Sequence, residues 1–184
     1  MRIIAGKYKF KKLNEFNVSS TRPTSDKVKE AEFDMIRYFD NTVCLDLFAG
    51  TGALGLEALS RGAKKCYFVE ENINIYKILV KNFKELKIEN DLINALRCDF
   101  LKALKGYKSK NIKFDIIFID PPYKTNLAER AIYFILNNNL LNDDGIICWE
   151  HDNTKLEEIK KYNVLKHKKY GTTYLTILNN YANI

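Results

Sequence analysis

The chain has 184 residues, 46% of them apolar and 29% charged, with a formal net charge of +7. That length suits one domain with a full core, and no apolar run approaches 18 residues or follows a charged leader, so a soluble, cytoplasmic, monomeric protein is expected. The basic balance suits a polyanionic partner.

Charge is concentrated at the start, where positions 1 to 29 hold eight Lys or Arg against Glu15 and Asp26. Within them Lys7-Tyr8-Lys9-Phe10-Lys11-Lys12 alternates base and ring, as a strand would to show lysines on one face and aromatics on the other. Residues 1–20 therefore read as a basic β-hairpin extension, with Lys7, Lys9, Lys11 and Lys12 as phosphate contacts to a polyanionic partner. The plain alternative is an amphipathic edge strand guarded by lysine. Residues 21–184 read as the core. Arg22-Pro23-Thr24 leads into a helix over Asp26–Phe39, with Val28, Ala31, Met35 and Phe39 on one stripe.

Val43-Cys44-Leu45-Asp46-Leu47-Phe48 reads as a strand running into Ala49-Gly50-Thr51-Gly52-Ala53-Leu54-Gly55. Strand, glycine loop and helix follow in order, with Leu54, Ala58 and Leu59 on one side of the helix and Gly62 as its C-cap. Gly50 and Gly52 allow a tight turn and close approach of a ligand. The lettering lacks the continuation of a dinucleotide fingerprint and the Lys-Ser/Thr of a phosphate loop. Asp46 opens the turn instead, which suits a cationic or amino-bearing ligand. Cys66 to Val69 is a second strand, ending in Glu70, 24 positions after Asp46; an acid at about that distance takes ribose hydroxyls in nucleotide-binding βαβ units. Leu92 to Arg97 is a third, followed by Asp99, an acceptor for an adenine amino group, and Phe100, a flank for its ring.

Behind the apolar run Phe114 to Ile119 stands Asp120-Pro121-Pro122-Tyr123. An exocyclic amino group is a poor nucleophile because its lone pair is delocalised, so an enzyme must fix it with acceptors for both protons. The Asp120 carboxylate and Pro121 carbonyl are such acceptors, two prolines in series hold them still, and Tyr123 is free to stack on a base. Lys124 beside this loop is a candidate phosphate contact. Four consecutive strands each ending in an acid, at Asp46, Glu70, Asp99 and Asp120, are hard to read as solvated strand ends alone.

Helices near Ile73–Leu86, Phe100–Leu104, Leu127–Asn137 and Thr154–Lys160 alternate with strands near 43, 66, 92, 114 and 145, which implies a mostly parallel sheet covered on both faces. Asn163–Lys168 and Thr173–Leu178 are closing strands joined at Tyr170-Gly171. Cys44, Cys66, Cys98 and Cys148 fall singly on strands without C-x-x-C spacing and read as reduced core residues; no metal site is expected. His151 and His167 read as surface or strand-end residues, and Trp149 and Glu150 as either core or the border of a base pocket.

Four segments together carry a resemblance: Met1-Arg2-Ile3-Ile4-Ala5-Gly6-Lys7-Tyr8, Thr21-Arg22-Pro23-Thr24-Ser25-Asp26-Lys27-Val28-Lys29-Glu30-Ala31, Asp46 to Ala58, and Asp120 to Tyr123. The chain resembles, over essentially its whole length, the RsmD family of bacterial 16S rRNA (guanine-N2)-methyltransferases, which are class I enzymes using S-adenosylmethionine. Thr51 and Thr172 depart from the family pattern without touching a proposed catalytic role. The resemblance implies a Rossmann-like, mostly parallel seven-stranded α/β sheet with an antiparallel last strand. It implies Arg22, Thr24, Asp46, Phe48, Ala49, Gly50, Gly52, Glu70, Asp99 and Phe100 around the cofactor, and Asp120, Pro121, Pro122 and Tyr123 at the reacting nitrogen. It also implies 16S rRNA as substrate, at the loop of helix 31 within the small subunit, and direct in-line methyl transfer without a metal or covalent intermediate. A DNA adenine-N6 methyltransferase would need a separate recognition domain, and a protein glutamine methyltransferase would more often carry Asn in place of Asp120. A catalytically idle RNA-binding module sits poorly with intact cofactor strand ends.

Overall fold

Short apolar runs become strands: β1 (Val43–Asp46), β2 (Lys65–Val69), β3 (Ile93–Leu96), β4 (Phe114–Ile119) and β5 (Leu141–His151), of which β3, at the edge of the sheet, has no buried residue. Each is followed or preceded by a helix with one apolar face, as a parallel sheet requires. The helices are α1 (Asp26–Met35), α2 (Ala53–Ser60), α3 (Ile73–Glu85), α4 (Phe100–Ser109), α5 (Leu127–Asn137) and the short α6 (Leu156–Ile159). The hairpin β6 (Asn163–Tyr170) and β7 (Thr173–Asn179) closes the fold. This computed structural model describes residues 1–16, 26–36, 38–122 and 125–180.

Among the described residues one seven-stranded sheet runs in the order β3-β2-β1-β4-β5-β7-β6. The first five strands are parallel, and β7 is antiparallel to both β5 and β6. The order doubles back between β1 and β4, so the carboxyl ends of these neighbours meet at the switch point where open α/β sheets bind ligands. Cys44, Phe118 and Cys148 pack with Phe33 on the side facing α1, whereas Leu45, Ile117, Ile119 and Trp149 pack on the other side with α4 and α5. No described helix is long and apolar enough to cross a membrane.

Two local expectations are corrected. The first helix ends at Met35, and its buried residues are Lys29, Glu32, Phe33 and Met35, with Ile36 and Phe39 buried just beyond it; of the expected stripe Met35 and Phe39 are core, whereas Val28 and Ala31 are only half-buried. Two charged residues point inward there because a counter-charge waits for one of them: Lys29 Nζ lies 3.1 Å from Glu57, both side chains fully buried. Glu57 also accepts the Ile4 and Ala5 backbone N–H groups and the Arg61 Nε. One carboxylate thus fastens the N-terminal segment, α1 and α2 together.

The N-terminal hairpin is the second correction. Arg2 bridges Lys12 antiparallel, but residues 7 to 10 form a turn instead of a strand. The two rings therefore part company: Tyr8 is buried, and Phe10, at φ 68°, is 66% exposed. Gly6 lets this segment lie on the end of α2, since a Cβ there would fall 1.7 Å from the Ser60 carbonyl oxygen. Lys7 pairs with Glu89, just before β3, so the hairpin tip lies at the amino end of the sheet, opposite the strand ends that carry the motif acids.

Candidate active site

The loop after β1 is shaped by backbone. Gly50 and Gly52 have φ of 54° and 91°, left-handed values that favour glycine, and Gly52 stands as the N-cap of α2. A Cβ at Gly50 would meet nothing within 4 Å, so this side of the loop leaves room for a ligand to approach the chain. Ala49 N–H bonds to the Val69 carbonyl and Leu47 N–H to that of Phe118, tying the loop to both neighbouring strands.

The strand-end acids of this half all accept backbone N–H groups. Asp46, 2% exposed, accepts from Gly55 N at 2.9 Å, and burial pushes its carboxyl up to about 7. It braces the turn. Glu70 accepts from Gly50 N at 2.9 Å and Asn72 N at 2.7 Å, which offset a desolvation that raises its pKa. Asp99 caps α4 by accepting from Leu101 N at 2.9 Å and Lys102 N at 3.2 Å, and remains exposed. Phe100 is buried, its ring 5.3 Å from Phe48 and 5.4 Å from the Arg130 guanidinium, so it backs the half-buried Phe48 and has no open face of its own.

Asp120 follows β4, one strand across from Asp46. Pro121 is buried and Pro122 exposed. The segment after them is tethered from a distance: the Thr125 hydroxyl donates to the Pro122 carbonyl at 2.8 Å, and Lys155 Nζ donates to the Thr125 carbonyl at 2.8 Å and to Glu129. Pro121, Pro122, Thr125, Glu150, His151 and Lys155 line a small cleft here. A larger cavity, between Met35 and Leu165, lies at the amino end of the sheet, away from this chemistry.

Carboxylates crowd the α1 side of the same end. Asp46, Asp120 and Glu150 each stand two residues beyond Cys44, Phe118 and Cys148, and so share the face that α1 covers. Glu32 projects into them from α1, only 3% exposed, and its Oε2 has no hydrogen-bond partner among the described residues. Burial raises its pKa, and the charges of Glu150, Asp120 and Asp46 raise it further, so the protonated form is favoured relative to an ordinary glutamate.

The structure thus brings Asp46, Phe48, Ala49, Gly50, Gly52, Glu70 and Asp99 to one end of the sheet, beside Asp120, Pro121 and Pro122. Arg22, Thr24, Tyr123 and Lys124 lie outside the described residues. Lys7 and Lys9 lie at the far end, while Lys11 and Lys12 are exposed on the returning arm. Glu32, Thr125, Glu129 and Lys155 join the site without any signal in the sequence. Their partners are distant in the chain, and a charged residue on a helix gives no periodic sign of burial.

This fold and the arrangement of its strand ends are those of a Rossmann-like methyltransferase. The family model described as Conserved hypothetical protein 95 matches residues 1–179. The ribosomal RNA small subunit methyltransferase D of Haemophilus influenzae is 38% identical, over 98% of this chain and 94% of that protein. Its counterpart in Escherichia coli is 36% identical, over 83% of this chain and 75% of that one. The chain belongs to this family, the RsmD family. The solved structure of yhhF from Escherichia coli has a TM-score of 0.81 at 30% identity, covering 97% of this chain and 96% of its own. SMU.776, solved in complex with SAH, shares the fold with a TM-score of 0.65 at 16% identity.

Proposed function

We propose that this protein methylates the exocyclic N2 amino group of a guanine in 16S rRNA, in the loop of helix 31, within the small ribosomal subunit, using S-adenosylmethionine. The observation that carries this reading is the adjacency of two loops on neighbouring strands: the open glycine turn after β1 and Asp120-Pro121-Pro122 after β4. One suits a cofactor that must touch backbone, the other an amino group that needs acceptors. The names of the relatives support rRNA of the small subunit as the substrate class.

When bound, S-adenosylmethionine supplies an electrophilic methyl group on a sulfonium. Gly50 gives its methionine part room, Gly52 keeps the turn tight against Leu79 and Leu56, and Asp46 acts on it through the turn it braces. Glu70, anchored by Gly50 N–H, takes the ribose hydroxyls, and Asp99 and Phe48 border the adenine. Asp120 and the Pro121 carbonyl orient the target nitrogen, and Asp120 takes the proton it sheds once methylated. Tyr123 stacks on the base. Most of the rate comes from positioning, which the Thr125 and Lys155 tether serves. The protein acts as a cytoplasmic monomer, with Lys11, Lys12 and Lys124, and more weakly Lys7 and Lys9, as phosphate contacts.

Mass-spectrometric nucleoside analysis of 16S rRNA from a deletion strain tests the reading. Loss of one N2-methylguanosine, restored by adding this protein and cofactor to the mutant's small subunits, is expected. A full complement of that nucleoside in the deletion strain overturns it.

A further inference from the structure

The outer strands carry a grid that the reaction does not use. In register across β5, β7 and β6 stand His151, Tyr174 and Lys169, and one step below them Trp149, Thr176 and His167, all on one face of the sheet. The rings of His151, Tyr174 and His167 are parallel within 15°, with centroids 5.4 to 5.9 Å apart. Lys169 Nζ stands 5.4 Å from the centre of the Tyr174 ring.

Hydrogen bonds lock this cluster without a ligand. His151 Nδ1 lies 2.8 Å from the Asp152 carbonyl, which can only accept, so that nitrogen carries the proton. Burial lowers the pKa of His151 and keeps the ring neutral, so Nε2 accepts from the Thr176 hydroxyl at 2.8 Å. The Thr176 oxygen in turn accepts from His167 Nδ1 at 2.8 Å. Both His151 nitrogens are occupied, which removes it from acid–base work and leaves it as a wall of the cleft beside Pro121 and Glu150. From that wall the rings lead outward to half-buried Tyr174 and exposed His167, beside exposed Lys169.

We propose that this outer grid is a landing platform for the single-stranded RNA that flanks the target base: a neighbouring base stacks on Tyr174 and His167 while Lys169 meets its phosphate. The proposal rests on the function proposed above, because the platform continues the wall of that cleft. Lysines on an edge strand also discourage edge-to-edge pairing, but that task needs no ordered rings. A preformed aromatic surface beside fixed positive charge is what single-stranded nucleic acid uses, and it tolerates any base sequence because every base has a π-face.

Binding of small subunits from the deletion strain tests this, alongside ultraviolet cross-linking to the same particles carrying 5-iodouridine. Tyr174→Leu is expected to weaken binding roughly five- to a hundredfold, with Tyr174→Phe close to the parent. Lys169→Gln should lower the salt slope by about 0.7 to 0.9. Cofactor affinity and melting temperature should not move, and cross-links should map to Tyr174 or His167. If Tyr174→Leu melts early, His167→Ala and Lys169→Gln, both at exposed positions, decide the matter. Parent-like binding and salt slope in the folded variants, with cross-links elsewhere, overturn the platform alone. A parent protein that neither binds nor modifies small subunits overturns the proposed function and the platform with it.

Discussion

The two halves of the sheet's carboxyl edge are built on different principles. In the cofactor half, β1 to β3, each strand-end acid closes on backbone a few residues along or one strand over: Asp46 on Gly55, Glu70 on Gly50 and Asn72, Asp99 on Leu101 and Lys102. In the acceptor half, order comes from side chains far apart in the chain, such as Lys155 on the Thr125 carbonyl and Thr176 on His151. Local backbone turns thus carry the order of the first half, and side chains brought together by the tertiary fold carry that of the second.

The sharpest break between the halves should come from Asp120→Ala. Losing one preorganised acceptor costs roughly 3–4 kcal/mol in the transition state, so turnover on small subunits is expected to fall several hundredfold while cofactor affinity by calorimetry stays within a few-fold. Near-normal turnover would remove Asp120 from the mechanism. Glu70→Ala should do the reverse. Its carboxylate gives the loop an acceptor for Gly50 N–H and, in the proposed function, the ligand an acceptor for hydroxyls, so cofactor binding should weaken by about 1.5–3 kcal/mol, with turnover at saturating cofactor little changed. Unaltered affinity would place the ribose elsewhere.

Asp46 sharpens the comparison through pH. Burial lifts its folded-state carboxyl from an ordinary 3.8 to about 7, so the folded form holds the proton more tightly than the unfolded one. Stability from this group is therefore present at low pH and lost as pH rises from about 4 through 7. Asp46→Asn, neutral throughout, should gain melting temperature relative to the parent between pH 5 and pH 8. A cationic ligand favours the carboxylate, so the parent's cofactor affinity should climb between pH 6 and pH 8, by at most about tenfold per pH unit below 7. A variant and parent with parallel pH curves would show that Asp46 does not titrate in this window.

The same division decides what can be read from sequence. The acids at Asp46, Glu70, Asp99 and Asp120 are legible because each follows an apolar run at a fixed place, and helix α5 falls on the expected Leu127–Asn137. That three of them turn to backbone is not legible, since their spacing is the same whether they face a ligand or brace a loop. The α1 stripe misleads because Lys29 and Glu32 carry charge into the core, and only the tertiary position of Glu57 accounts for the first. Tyr8 and Phe10 alternate in sequence, yet a turn between them overrides the strand period.

The smallest expected effect belongs to the hairpin lysines, and it bears on which basic region serves the acceptor half. Lys7, Lys9, Lys11 and Lys12 are all exposed, and Lys7 already faces Glu89 at 3.4 Å, a surface pair worth little. With Lys7 and Lys9 at the amino end of the sheet, only Lys11 and Lys12 sit on the arm that returns toward the glycine loop, where Asn82 joins Asn14 to the Thr51 carbonyl. Replacing all four by Ala should lower the salt slope of small-subunit binding by up to about 0.7 to 0.9 for each phosphate no longer neutralised, with cofactor affinity intact. Restoring Lys11 and Lys12 should recover more of the slope than restoring Lys7 and Lys9. Equal recovery would mean that the substrate reaches the far end of the sheet as well. An unchanged slope in the quadruple variant would leave the hairpin as an anchor for α1 and α2, with RNA held by the other edge.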